Sequence, residues 1–271
     1  MKIIRFEDET GAVRQGAQQE DGSVKLIEGD VFGDFAVTDT TADVKRLLAP
    51  IVPTQILCIG LNYKFHAKEC NVPEPEQPVL FTKGINTLNH PDSPVEIPRA
   101  MASEEVDYEV ELAVVIGRDC KNATKENALD YVLGYTAAND VSARDWQIKR
   151  GGGQWCRGKT FDTFSPLGPC LVTADEIPDP QNLKLSCTIN GRTMQDWNTN
   201  DMIFPVNEII AFLSGSTTLP AGTVILTGTP HGVGMAQKPP LWLKEGDQMV
   251  VEIEKIGRLS NPVSNEKVAT G

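Results

Sequence analysis

The clearest hydrophobic pattern in the chain runs from Val106 to Ile116, where apolar and acidic residues alternate over Val106–Leu112 and then give way to four apolar residues. Alternation with period two is the mark of a strand with two unlike faces. The apolar ending predicts that the strand runs into a core and is covered on both sides. Weaker alternation at Met1–Phe6 and Val24–Ile27, with Gly11 and Gly22 as turns, predicts short N-terminal strands. Thr41–Leu48 reads as a short helix capped by Thr41 and ending before Pro50. Ile56–Gly60 reads as a buried strand, followed by a helix over Tyr63–Cys70 capped by Asn62. Pro73, Pro75 and Pro78 then impose a looping path. Asn190-Gly191 is a hairpin turn between Leu183–Ile189 and Arg192–Gln195. Asn207–Leu213 is a helix closed by Gly215, and Thr223–Thr227 and Gln248–Ile253 are strands entered through glycine turns. Strands outnumber helices without alternating regularly with them. A doubly wound parallel sheet is therefore disfavoured, and the fold class is α+β and β-rich. The texture changes near Pro53, which divides a small strand-rich unit at 1–50 from a larger one at 51–271.

Composition narrows the function classes. The 271 residues carry 37 acids and 25 bases, a net charge of −12. A nucleic-acid or anionic-membrane partner needs a basic footprint, so neither is expected. No apolar run reaches the ~18 residues of a membrane span. Met1–Phe6 lacks the apolar stretch of a signal peptide and the look of a transit peptide, so the expected compartment is the cytoplasm, or the mitochondrial matrix if a presequence has been removed. Six singly spaced cysteines and no Cys-x-x-Cys pair point to reduced thiols and against zinc, and His66, His90 and His231 have no ligand spacing.

Chemistry concentrates at a few places. On one strand Asp107, Glu109 and Glu111 share a face, with neighbours ~6.6 Å apart. At an effective dielectric of ~20, each pair repels by roughly 2.5 kcal/mol. Either water screens that face or a divalent cation occupies it. Carboxylates without Cys or His select a hard ion, Mg²⁺ first and then Mn²⁺ or Ca²⁺. Asp140, after the apolar run ending at Ala138, is either a turn or cap residue or a third ligand. His66 and Glu69 lie three apart on one helix face, as a surface pair or as a general base with its orienting carboxylate. Lys159 follows Gly158 and is either a solvated base or a site residue. Gly151-Gly152-Gly153 reads as a mobile loop without a phosphate-binding ending.

From about Ile56 to Pro262 the chain resembles the fumarylacetoacetate hydrolase superfamily. Gly60-Leu61-Asn62-Tyr63 with His66 and Glu69 is similar to that family's helix bearing a catalytic dyad. Glu109-Val110-Glu111 and Asp140 match its metal ligands, Arg144 and Gln147 its substrate contacts, and Lys159 its active-site lysine, with Thr163 near the metal. Leu226-Thr227-Gly228-Thr229-Pro230 matches a substrate-binding turn, in which Thr229 is the contact. A further acidic ligand found ahead of the dyad in the founding hydrolase is unmatched, because Leu61 and Asn62 stand there. The resemblance implies a mixed β-roll or sandwich catalytic domain behind the small N-terminal one, a bound Mg²⁺, and a homodimer. It also implies a small 2-oxo acid substrate handled through a metal-stabilised enolate. The runs Ser142–Trp146 and Gly158–Thr163 are most similar to the branch with oxaloacetate keto–enol tautomerase activity. Acylpyruvate hydrolysis and oxaloacetate decarboxylation share the same enolate and stand as alternatives. A non-catalytic module with a structural Ca²⁺ is the reading from a different class.

Overall fold

The computed structural model describes residues 1–268. Its N-terminal fifty residues hold β1 (Lys2–Glu7), β2 (Val13–Gln18), β3 (Val24–Gly29), β4 (Phe35–Thr41) and β5 (Arg46–Leu48). There follow β6 (Gln55–Gly60), α1 (Lys64–Glu69), β7 (Val79–Lys83), β8 (Leu88–Asn89), β9 (Val95–Ile97), β10 (Val106–Asp107), β11 (Val110–Ile116), β12 (Val132–Asn139) and β13 (Ser142–Ala143). The remainder is α2 (Cys156–Lys159), β14 (Ser165–Thr173), β15 (Lys184–Ile189), β16 (Arg192–Asn198), α3 (Val206–Ser214), β17 (Thr223–Leu226), β18 (Gln248–Ile253) and β19 (Gly257–Asn265). The fold is a strand-rich α+β arrangement.

One large sheet runs in the order β4-β3-β2-β1-β14-β12-β11-β17-β6-β7, with β5 on β1 and β8 on β14. The strands of residues 1–50 thus extend the same sheet through β1, where Lys2 pairs with Val172 and Ile3 with Leu171. A five-stranded sheet, β16-β15-β18-β19-β9, packs across its middle, and β10 pairs with β13 in a small ribbon. All of β11 is buried. Val110, Leu112, Val114 and Ile116 share one apolar cluster with Leu185, Val251 and Leu259 of the second sheet. Ala113 and Val115 join a second cluster on the opposite face, with Ile56, Cys58, Phe81 and Val224. Each fully buried Leu, Ile or Val contributes roughly 1.5–3 kcal/mol, so this central strand is held firmly from both sides. Glu111 lies on the same face as Ala113 and Val115, with apolar packing directly beyond it.

Three local expectations are corrected. Thr41–Leu48 is not helical. β4 ends at Thr41, and Arg46–Leu48 pairs antiparallel with β1, fixed by Glu7 opposite Arg46 and their 3.0 Å ion pair. An available sheet edge overrides helix propensity there. The run from Val106 to Ile116 is not one strand, since the ladder breaks at Tyr108–Glu109 where the chain passes from the ribbon into the large sheet. Asn62 does not cap α1. Its amide donates to Thr227 and Phe204 carbonyls, and the helix begins after Tyr63 without a side-chain cap. The expected Asn190-Gly191 hairpin is present, with both residues at positive φ, and the helix expected over Asn207–Leu213 spans Val206–Ser214.

Candidate metal centre and active site

Register explains how the acids meet. β11 and β12 run antiparallel with Val110 opposite Asn139 and Glu111 opposite Ala138. Continuing that ladder by one residue sets Glu109 against Asp140, whose amide donates to the Glu109 carbonyl at 2.9 Å. Carboxylate oxygens of Glu109, Glu111 and Asp140 consequently lie within 4.8 Å of one another, all buried, the one cluster of this kind among the described residues. Asp107, expected on the same face, is turned elsewhere by the break at Tyr108. It accepts from the Gly234 and Met235 amides at 2.7 and 3.0 Å and from Arg144 Nε at 2.9 Å.

Three buried cations stand against these acids. Lys159 Nζ lies 2.9 Å from Glu109 and 2.6 Å from Asp140, and Lys83 Nζ lies 2.5 Å from Asp140. Arg144 Nη2 lies 2.6 Å from Glu109 Oε1, out of line for a hydrogen bond. Glu111 differs from the others. Its carboxylate accepts from the Gly228 amide at 2.6 Å, and no cationic side chain pairs with it among the described residues. Burial first, then the Asp140 and Glu109 charges, push its carboxyl well above the usual range. Burial also works against ionisation of Glu109, but Lys159 and Arg144 outweigh it and hold that carboxyl low. Lys159 is likewise penalised by burial and more than compensated by Asp140 and Glu109.

An oxygen-only, buried donor set with one carboxylate lacking a cation is what a hard divalent ion satisfies. The triad can hold such an ion.

Beside the acids, α1 delivers His66. Its Nδ1 contacts Glu69 Oε1 at 2.7 Å, and Glu69 is itself held by the Gly232 amide at 2.9 Å. Cys70 Sγ lies about 4 Å from both ring nitrogens. Burial pulls the imidazole pKa down, but Cys70 and Glu69 outweigh it and raise it from 6.5 to about 9. A cavity of about 390 Å³ joins these groups, lined by His66, Cys70, Glu109, Glu111, Arg144, Gln147, Lys159 and Thr229. Leu61, Phe81, Ile148, Trp155 and Met235 form an apolar wall. Lys159 reaches the acids because Gly158 packs tightly under it. A Cβ there would lie 2.4 Å from Gln147 N and 2.6 Å from the Ala143 carbonyl.

Of the eleven residues singled out for chemistry, nine border or adjoin this one cavity, Asp140 and Glu69 through their contacts with Lys159 and His66, while Asp107 is turned elsewhere. Thr163 does not reach it either. Its hydroxyl accepts from the Glu96 amide at 2.8 Å, and it is absent from the cavity lining. Lys83 and Gln195 were not foreseen. Lys83 carries a readable signal, since period two in Val79–Lys83 puts it inward beside Phe81. Gln195 carries none, because Met194 and Gln195 are both buried and break the alternation of β16.

Residues 55–264 match the family model described as fumarylacetoacetate (FAA) hydrolase C-terminal, and residues 1–50 match one described as Rv2993c-like, N-terminal. Oxaloacetate tautomerase fahd2, mitochondrial, of Xenopus laevis is 53% identical over 218 residues, which is 80% of this chain and 68% of that protein. Oxaloacetate tautomerase FAHD2A, mitochondrial, of Homo sapiens is 50% identical over 217 residues, with the same shares. Among solved structures, the fumarylacetoacetate hydrolase of psychrophilic Exiguobacterium antarcticum superposes with a TM-score of 0.88 at 37% identity, covering 98% of this chain and all of that one. A 5-carboxymethyl-2-hydroxymuconate delta-isomerase of Mycobacterium smegmatis gives 0.85 at 36%, with the same coverage.

Proposed function

Since the chain belongs to the fumarylacetoacetate hydrolase family and is an enzyme of that family, we propose that it catalyses keto–enol tautomerisation of oxaloacetate with Mg²⁺ held by Glu109, Glu111 and Asp140. The non-catalytic calcium module falls with the family assignment. The observation that carries the reading is the meeting of the acidic triad, the His66–Glu69 pair and Lys159 around a single cavity.

Held by Glu109, Glu111 and Asp140, a hard dication would supply Lewis acidity and positive charge to a 2-oxo carboxylate. The protein's own groups do the remainder. Lys159, with a fixed ammonium beside the triad, faces negative charge developing on the C2 oxygen. Arg144 and Gln147, joined by a 3.0 Å hydrogen bond, orient a substrate carboxylate. His66 exchanges the proton at C3. Glu69 holds Nδ1, which leaves Nε2 for that transfer. In the enol-to-keto direction the C2 oxygen gives up its proton to water, the double-bond electrons move to C3, and the imidazolium protonates C3 through Nε2 and regains its proton from solvent. The Glu69 carboxylate beside Nδ1 favours that acid form.

Acylpyruvate hydrolysis stands second, favoured by the apolar wall of Leu61, Ile148, Trp155 and Met235, more than a four-carbon diacid requires. Six free thiols fit a reducing compartment, the cytoplasm or, as in the vertebrate relatives' names, the mitochondrion. The proposed assembly is a homodimer, to be read by light scattering. The deciding test is a panel in Mg²⁺ buffer, following enol-oxaloacetate, keto-oxaloacetate and an acylpyruvate by ultraviolet absorbance. The proposal requires acceleration of the first two toward one common equilibrium. Cleavage of the acylpyruvate alone would transfer the assignment to the hydrolase.

A further inference from the structure

Gln195 lies outside every role assigned so far, yet its side chain, 1% exposed, ties the metal-ligand strand to the turn bearing Thr229. β11 meets β17 only from Ala113 onward, so the amide of Val110, between the two glutamate ligands, has no ladder partner on that side. Gln195 Oε1 accepts from it at 3.0 Å. On its other end Nε2 donates to the Pro230 carbonyl and to Thr229 Oγ1, both at 2.8 Å. The amide orientation follows from chemistry alone. Val110 N–H only donates and the Pro230 carbonyl only accepts, so oxygen must face the first and nitrogen the second. Both amide hydrogens are then committed, and Thr229 Oγ1 is obliged to accept. Among the described residues the Thr229 proton has no acceptor, and Thr229 lines the cavity.

We propose that Gln195 is a positioning residue that makes Thr229 a hydrogen-bond donor toward the cavity, selecting an anionic oxygen of the ligand over a donor group. This deepens the reading above by assigning which group recognises a substrate carboxylate or oxyanion. Gln195→Glu keeps the acceptor for Val110 but turns the other end into a second acceptor. Thr229 then donates backward to it, and the cavity loses its donor.

The test is a double-mutant cycle on the full-length protein in Mg²⁺ buffer, with oxalate binding read by calorimetry and folding checked by circular dichroism. Gln195→Glu and Thr229→Val each weaken oxalate roughly 10- to 100-fold, the scale of one hydrogen bond to a charged group. Thr229→Ser stays near wild type. In the Thr229→Val background Gln195→Glu costs nothing further, since the donor it controls is already gone. Gln195→Met, which keeps the volume but removes both ends of the amide, serves if the acidic variant does not fold: Thr229 is no longer held as a donor but not drawn backward either, so oxalate weakens only a few-fold, and not at all in the Thr229→Val background. Additive losses would make Gln195 merely structural and overturn the inference. So would a wild type that fails to bind oxalate. Tautomerase turnover without oxalate binding sinks only this inference, whereas oxalate binding with a non-additive cycle but no turnover sinks only the tautomerase assignment.

Discussion

Glu111 is the residue on which the electrostatics turn. Glu109 has Lys159 and Arg144, and Asp140 has Lys83 and Lys159, whereas Glu111 has a backbone amide and two carboxylate neighbours. Glu111→Gln relieves that repulsion and removes a ligand charge. The variant is therefore expected to melt no lower than wild type in EDTA, yet to lose at least tenfold in Mg²⁺ affinity by calorimetry and nearly all turnover. Unchanged Mg²⁺ affinity would exclude Glu111 as a ligand. His66→Ala leaves the triad intact, so Mg²⁺ binding should persist while turnover falls roughly 10²-fold, the scale of a lost general acid–base group. Turnover within a few-fold of wild type would place the proton transfer elsewhere.

Elements bring these side chains together through backbone features that differ in how visible they are in the sequence. Alternation at Val106–Leu112 marked Glu109 and Glu111 as same-face neighbours, and spacing alone set His66 above Glu69 on α1. That Asp140 joins them depends on the β11–β12 register, which pairs Val110 with Asn139 and Glu111 with Ala138, far apart in sequence, and leaves no local trace. Lys159 is a similar case. α2 is one turn long, and it sits close to the Ala143–Gln147 segment only because residue 158 has no side chain. Gly158→Ala puts a methyl against backbone atoms that cannot yield cheaply. A stability loss of roughly 1–3 kcal/mol in urea titration is expected, together with a fall in kcat/KM as Lys159 is displaced. A stable variant with wild-type kinetics would show that α2 tolerates movement. The failed helix at Thr41–Leu48 and the broken strand at Tyr108 share one cause. Both segments are decided by a partner strand far away in sequence, so local propensity was read correctly but overruled.

At the scale of the whole molecule, the large sheet carries the N-terminal strands on one flank and the site-bearing strands β11, β12, β17 and β6 on the other, so fold and site share one framework. Its net charge of −12 makes a site for a dianion improbable unless positive charge is gathered locally. Lys83, Arg144 and Lys159 offset Glu109, Asp140 and Asp107, so the surplus positive charge for a dianion would have to come from a bound dication. The titration of His66 links the site to global stability. Its pKa is raised in the fold to about 9, against 6.5 unfolded, so its stabilising contribution is complete below about 6.5 and disappears as pH climbs through 9. In chelator-treated protein, urea unfolding at pH 9.5 should give a free energy lower than at pH 6.5, by up to roughly 3 kcal/mol. His66→Gln should flatten that slope. An equally steep slope in the variant would assign it to another group.

The account rests above all on a hard dication at Glu109, Glu111 and Asp140. Its most direct test is the rate of enol-oxaloacetate ketonisation by the EDTA-stripped protein, before and after Mg²⁺ is returned. Turnover should vanish on stripping and recover with Mg²⁺ in the wild type but not in Glu111→Gln. Full activity in the stripped protein would contradict it.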